Sequence, residues 1–296
     1  MRKRHALRSS TPPADLTTSA LLPDHRRLMS RAVILQHVEY AGPGRIIPVF
    51  RDFGIPCEVR RLWRGDEVPT DLDELRVLVI LGGPMGVKDV GDPKYPFLQT
   101  EVQTLQRMIA IDKPILGIAL GAQLFAHAAG AKVYPNVKPG PKPEDPGTPM
   151  PEFGWGPVAF PFPGGTEPIV YGMTDGAPMF HWHNDTFDLP KLPAPANPAP
   201  PPAPPPPTGN ALLSSSRPCK NQAFRFKTHG FGFQYHFEFT NEDIEKLVAN
   251  DREVAVKALG SDAEQKIRQD TAKNYNRYAR LGERLLQNFV QYLKAY

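Results

Sequence analysis

The chain has 296 residues, 41% of them hydrophobic, with a net charge of +4 and 35 prolines against 24 glycines in no Gly-X-Y period. That is enough for a sizeable core in one large or two modest domains, and it excludes a collagen-like fibre. Two distant cysteines, Cys57 and Cys219, form no CxxC pair, which argues against a disulfide scaffold or a thiolate zinc cluster. With no apolar run of membrane-spanning length, they point to a reducing cytoplasm. Residues 1–31 hold seven basic side chains against two acidic ones, so the body is nearly neutral. The basic balance describes a tail rather than a specific nucleic-acid face.

In chain order, residues 1–30 read as a disordered basic extension, and order begins at Arg31. Ala32-Val33-Ile34-Leu35 has the unbroken apolar character of a strand buried on both faces. Gly42-Pro43-Gly44 breaks the chain before a short helix carrying Ile46, Val49, Phe50 and Phe53, which tolerates Pro48 in its first turn. Glu58 to Leu62 predicts a second strand and Val77 to Leu81 a third. The spacing of Phe97, Leu98, Val102, Leu105 and Met108 predicts a helix over 96–111, and Ile115 to Ile118 a fourth strand. This alternation predicts an open α/β sheet with helices on both faces and chemistry at the carboxyl ends of the strands.

Beyond Tyr134 the texture turns to Pro/Gly-rich loops, with short strands expected over 156–160, 179–182, 223–226 and 232–235. Between Pro190 and Pro207 stand eleven prolines, a proline-rich insertion over 190–209 that suits an exposed polyproline II arm. It is either a docking strip for a binder with an aromatic groove or a tolerated surface insertion. From Asn241 to Tyr296, apolar residues at helical spacing predict terminal helices packed on the domain.

Three strand ends carry unusual residues. Leu81-Gly82-Gly83-Pro84-Met85-Gly86 would let backbone N–H groups approach a ligand and hold a developing oxyanion. Gly117-Ile118-Ala119-Leu120-Gly121 has small residues on either side of position 119, as a sharp strand-to-helix turn needs when its central residue must project into a site. That position normally carries a nucleophile. In Gln234-Tyr235-His236-Phe237-Glu238, an extended backbone points His236 and Glu238 the same way, as a base and its orienting carboxylate would be.

Together these motifs resemble the class I glutamine amidotransferases, whose nucleophile turn reads Gly-x-Cys-x-Gly and whose base motif reads His-x-Glu. Gly117, Gly121, Gln123, His236 and Glu238 match. The segment Phe180-His181-Trp182-His183-Asn184-Asp185 resembles the substrate-side loop of stand-alone members similar to the amidotransferase domain of GMP synthase. The resemblance covers about residues 31–240 and implies a flavodoxin-like, three-layer α/β fold with a central, mostly parallel sheet. It further implies His236 as base, Glu238 as its orienter, and the N–H groups of Gly83 and Leu120 as an oxyanion hole. Gln123 and the backbone around Trp182 and Asn184 would hold L-glutamine, with ammonia passed to a synthetase partner. The family often has glycine at position 184, and asparagine suits the left-handed conformation that this implies.

The departure is Ala119, the nucleophile position. A methyl group neither ionises nor attacks, so the chain as written is expected to bind glutamine without hydrolysing it. Either an engineered Cys-to-Ala replacement or a natural pseudoenzyme accounts for it. The intact His-x-Glu pair favours deliberate or recent loss, whereas a start at Met1 without a tag weakens the engineered reading. The rival reading is a dead, glutamine-binding or regulatory interaction protein, and a third is a hydrolase of γ-glutamyl compounds. His181 and His183 form a His-x-His pair without a third ligand at suitable spacing, so no metal is expected. Asp185 and Asp188 are read as closing the loop. No cofactor is implied, and no Gly-x-x-x-x-Gly-Lys-Ser/Thr loop occurs.

Overall fold

The computed structural model describes residues 30–140, 142, 145, 147–192 and 209–294. The expected basic extension, save Ser30, and residues 193–208 of the proline-rich run lie outside the described residues. The first half alternates β1 (Arg31–Gln36), α1 (Ile46–Asp52), β2 (Cys57–Arg61), β3 (Leu75–Ile80), α2 (Pro96–Ala110), β4 (Ile115–Ile118) and α3 (Leu120–Ala128). Short strands follow: β5 (Val133–Pro135), β6 (Val137–Lys138), β7 (Thr148–Pro149), β8 (Glu152–Val158), β9 (Ala177–His183) and β10 (Asp185–Phe187). Then come β11 (Ala211–Ser214), β12 (Ala223–Phe226), β13 (Gly230–Phe233), α4 (Asn241–Asn250), α5 (Arg252–Leu259) and α6 (Ala263–Lys294).

Seven strands form one sheet in the order β11-β12-β13-β4-β3-β1-β2. From β13 to β2 every neighbour is parallel, and β12 and β11 close one edge antiparallel. The pleat sends alternate residues of β1 to opposite faces. Ala32 and Ile34 join one core with Phe50 of α1 and Tyr278, Leu285 and Phe289 of α6. Val33 and Leu35 join another with Leu98, Val102 and Leu105 of α2 and Leu124 and Phe125 of α3. An apolar strand buried from both sides therefore produces three layers, helix on sheet on helix.

The strand boundaries depart from the sequence pattern where glycine interrupts it. β8 begins at Glu152 rather than near Gly156, because Gly154, at φ +84°, continues the pairing with β9 in a conformation that hides the strand's alternation. β13 leaves the ladder at Phe233, and Gln234 and Tyr235 carry the chain on to His236, which forms an isolated bridge with Phe180.

The last helix is part of the core. Phe289 is fully buried, its ring 5.8 Å from that of Phe231 and 6.2 Å from that of Phe50. Truncating such a ring removes its burial and leaves a cavity, so Phe289→Ala is expected to lower the unfolding free energy by about 3–5 kcal/mol in a urea titration. A loss below about 1 kcal/mol would mean that α6 only decorates the surface.

Candidate active site

The site is organised by the turn between β4 and α3. Ala119 sits there at φ +51°, ψ −112°, a conformation that an L-residue holds only when its surroundings impose it. Its N–H donates to the carbonyl of Phe233 (2.8 Å), and its carbonyl accepts from the N–H groups of Ala122 and Gln123 (3.0 and 3.2 Å). Neighbouring strand and following helix both hold the turn. Gly121 makes it possible: a Cβ there would lie 2.1 Å from the carbonyl oxygen of Ile80, and one on Gly117 would lie 2.5 Å from the carbonyl oxygen of Gly121.

His236 faces this turn across Gly82. A Cβ on Gly82 would stand 2.8 Å from His236 Cε1 and 3.4 Å from the Ala119 methyl. His236 Nδ1 lies 2.7 Å from Glu238 Oε1, while Glu238 Oε2 accepts from the N–H of Phe237 at 2.9 Å. Both side chains are buried. With Nδ1 donating to a carboxylate, Nε2 keeps its lone pair for a proton. The ring also stacks on Phe239 with centroids 4.0 Å apart.

The segment carrying this pair is gripped from α6. The Phe239 N–H donates to the Tyr278 hydroxyl (3.1 Å), and Gly282 packs so closely that a Cβ there would lie 2.0 Å from the Phe237 carbonyl oxygen. The guanidinium of Arg45 lies over the rings of Tyr275 and Tyr278, 5.3 and 5.1 Å from their centroids, and donates to the Phe239 carbonyl. Behind the Gly82 turn, His37 is wedged between the Gly82 carbonyl (3.3 Å) and the buried carboxylate of Glu101 (3.1 Å).

A cavity of about 230 Å³ opens over these groups, lined by Gly83, Ala119, Leu120, Gln123, Trp182, Asn184 and His236 among others. The structure thus gathers these sequence-predicted residues in one place, with Glu238 behind His236. Leu120 begins α3, where the first N–H groups of a helix have no intrahelical acceptor. Buried Gln123 donates to Gln234 Oε1 at 3.3 Å. Trp182 lies half-buried, its Nε1–H donating to Asp251 Oδ2 at 3.0 Å, and the other oxygen of Asp251 accepts from Tyr40 at 3.1 Å. A larger groove of about 570 Å³ between α4 and α6 shares none of these residues.

Three readings of the sequence need correction. Asn184 is not left-handed: among the described residues the non-glycine positions with positive φ are Asp112, Ala119 and Lys227, so the loop runs without a glycine-like residue at 184. Asp188 accepts from Tyr134 (3.0 Å), as a loop-closing residue does, but Asp185 lines the cavity. The missing third partner of His181 and His183 is Glu152, which stands directly across from His183 on β8. Sequence reasoning also passed over Asp251 and Tyr40, which come from opposite ends of the chain. No local motif announces them.

Neither cysteine lies at the turn. Burial pushes the thiols of both Cys57 and Cys219 up to about 11, which disfavours the thiolate, and neither lines the cavity. Near the cavity wall, burial pushes His181 down to about 4. Burial pushes the Glu152 carboxyl up, but His183, His181 and Ser216 outweigh it and hold it below its ordinary value.

Comparison with known proteins agrees with this geometry. The family described as "Glutamine amidotransferase class-I" matches residues 44–254. The chain therefore belongs to the class I glutamine amidotransferase family. The glutamine amidotransferase-like protein YfeJ of Salmonella typhimurium is 24% identical over 247 residues, covering 83% of this chain and 91% of that protein. A glutamine amidotransferase-like protein, L716, of Acanthamoeba polyphaga mimivirus is 33% identical over 96 residues, 32% of this chain and 46% of its own length. In fold the chain is similar to a solved glutamine amidotransferase from Thermotoga maritima, with a TM-score of 0.68 at 24% identity, covering 89% of this chain and 99% of that one. Among the described residues no helix is long and apolar enough to cross a membrane.

The turn generates a prediction of opposite signs at two neighbouring positions. Ala119→Gly relieves a positive φ and is expected to leave stability unchanged or raise it by about 1–2 kcal/mol. Gly121→Ala introduces the better helix former yet is expected to cost about 1–3 kcal/mol, because its methyl group meets the Ile80 carbonyl. Urea unfolding of both variants measures this; stabilisation by Gly121→Ala would contradict the packing.

Proposed function

We propose that the cavity binds L-glutamine and that the chain as written does not hydrolyse it, the parent activity being conversion of glutamine to glutamate and ammonia. The observation that carries this reading is the buried His236–Glu238 pair, set against a strand-to-helix turn whose central residue, Ala119, projects an inert methyl group into the cavity. With a thiol at position 119, this reading assigns a residue to each step. His236 Nε2 takes the thiol proton, and the sulfur attacks the carboxamide carbon. The N–H groups of Gly83 and Leu120 receive the developing oxyanion. His236 then gives its proton to the leaving nitrogen, ammonia departs, and a thioester to the glutamyl group remains. A water molecule, deprotonated by His236, adds to that thioester, and the collapsing intermediate releases glutamate and the thiol. Glu238 holds the imidazole in its productive tautomer and offsets the charge of the imidazolium.

Gln123, the backbone around Trp182 and Asn184, and the carboxylates of Asp185 and Asp251 present both hydrogen-bonding and anionic groups toward the amino-acid end of the ligand. In this reading ammonia passes to a synthetase partner, the proline-rich run over 190–209 is a tolerated insertion, and two free thiols suit the cytoplasm. The second reading, which the methyl group at 119 equally allows, is a catalytically dead regulatory interaction protein that uses the pocket as a sensor or the proline-rich run as a docking strip.

Ammonia release from L-glutamine by Ala119→Cys, with the unaltered chain as control, tests the assignment. The cysteine variant is expected to be active and the control silent, and adding Glu238→Gln to the active variant is expected to reduce kcat at least about a hundredfold. Calorimetry on the unaltered chain separates the readings further: saturable glutamine binding supports the site. Absence of binding together with an inactive cysteine variant refutes it.

A further inference from the structure

We propose that Glu152, His181 and His183 form a binding site for a divalent transition-metal ion of the zinc class, whatever the neighbouring cavity takes. His181 and His183 lie two residues apart on β9 and so share a face, and Glu152 on β8 is the cross-strand partner of His183. One ligand atom from each of the three residues lies within 4.8 Å of the other two. His181 and His183 are 1% and 4% exposed, and Glu152 is 8% exposed.

The hydrogen bonds around the cluster decide what faces its centre. His183 Nδ1 lies 3.0 Å from the carbonyl oxygen of Asp185, so that nitrogen carries the hydrogen. His181 Nε2 lies 3.3 Å from the carbonyl oxygen of Gly156, with the same consequence. The remaining nitrogens, His181 Nδ1 and His183 Nε2, have no hydrogen-bond partner. They turn their lone pairs toward Glu152, at 3.8 Å from Oε1 and 3.2 Å from Oε2 respectively. Two lone pairs and a carboxylate, all buried, repel one another unless a positive centre lies between them.

A metal ion meets that requirement better than a proton. A proton shared between His183 Nε2 and Glu152 Oε2, 3.2 Å apart, satisfies that pair alone and leaves His181 Nδ1, 3.8 Å from Oε1, without a donor. Ligand atoms around a tetrahedral zinc ion with bonds of about 2.0–2.1 Å lie about 3.3 Å apart, which the His183–Glu152 separation of 3.2 Å matches and the His181–Glu152 separation of 3.8 Å reaches by a small inward shift. Two imidazoles and one carboxylate are also a donor set that zinc-class ions accept, leaving a fourth position.

The surroundings have the form of an outer shell. Each imidazole donates its other N–H to a backbone carbonyl, while Ser216 donates to Glu152 Oε1 (2.9 Å) and Gln222 donates to Oε2. An ion there would clamp β8 to β9 and, through Ser216 and Gln222, to the segment between β11 and β12. His183 also lines the cavity beside Trp182 and Asn184, so the clamp would fix one wall of the pocket.

The test uses the untagged full chain, stripped with chelator and titrated with Co²⁺, then Zn²⁺. One equivalent of Co²⁺ is expected to bind with a visible absorption spectrum of low coordination number, to be displaced by Zn²⁺, and to raise the melting temperature saturably. Glu152→Gln and His181→Gln should each weaken binding at least tenfold, while His127→Gln on α3 leaves it unchanged. Circular dichroism of the metal-free proteins checks that the variants fold. Should they not fold, the unaltered chain decides alone. No stoichiometric cobalt spectrum, or uptake that both ligand substitutions leave intact, would overturn the site.

Discussion

Everything in this molecule depends on one strained backbone position. At Ala119 the chain must leave a parallel strand and enter a helix within a single residue, and it does so with a positive φ. That conformation persists because the surroundings over-determine it. The N–H of Ala119 is held by β13, its carbonyl by the first turn of α3, and Gly121 rests against the backbone of β3. The same contacts that impose the strain aim the side chain of residue 119 into the cavity. They also expose the leading N–H groups of α3 beside it.

The second half of the site is brought to that turn by distant parts of the chain. His236 lies beyond the end of β13, where no ladder fixes it, and its position is set by the bridge to Phe180 and by the grip of α6 on residues 237–239. Arg45 adds a bond to the same backbone segment and spreads over two tyrosines of α6. The terminal helix therefore does two jobs: it buries one face of the sheet and locks the His236-bearing segment against it. This gives a physical reason why a site made at the ends of β3, β4 and β13 needs a helix more than 30 residues further along the chain.

Where a local pattern carries the information, the sequence was legible. Three apolar runs between amphipathic segments mark β1, β3 and β4 at the centre of the parallel sheet, and small residues around position 119 mark the turn. The His-x-Glu spacing brings His236 and Glu238 to 2.7 Å. What stayed hidden depends on pairing between strands. Glu152 looks like an isolated acid beside a glycine-broken segment until β8 pairs with β9 and sets it opposite His183. Asp251 reads as one more charge in a helical stretch, yet it accepts from Trp182 and Tyr40 at the cavity. Asn184 misled in the other direction: its substitution for glycine suggested a left-handed loop that the backbone does not use.

The chain belongs to the class I glutamine amidotransferase family, and the proposed function gives His236, Glu238 and the cavity the roles of base, orienting carboxylate and substrate site, with a methyl group at the nucleophile position. The most direct test is a crystal structure of the unaltered chain soaked with L-glutamine. The account predicts an intact glutamine molecule with its carboxamide carbon over the Ala119 methyl and its amide oxygen toward the N–H groups of Gly83 and Leu120. The amide nitrogen should lie on the side of His236. Glutamine seated elsewhere in the cavity, or a cavity that stays free of it at saturating concentration, would contradict the central claim.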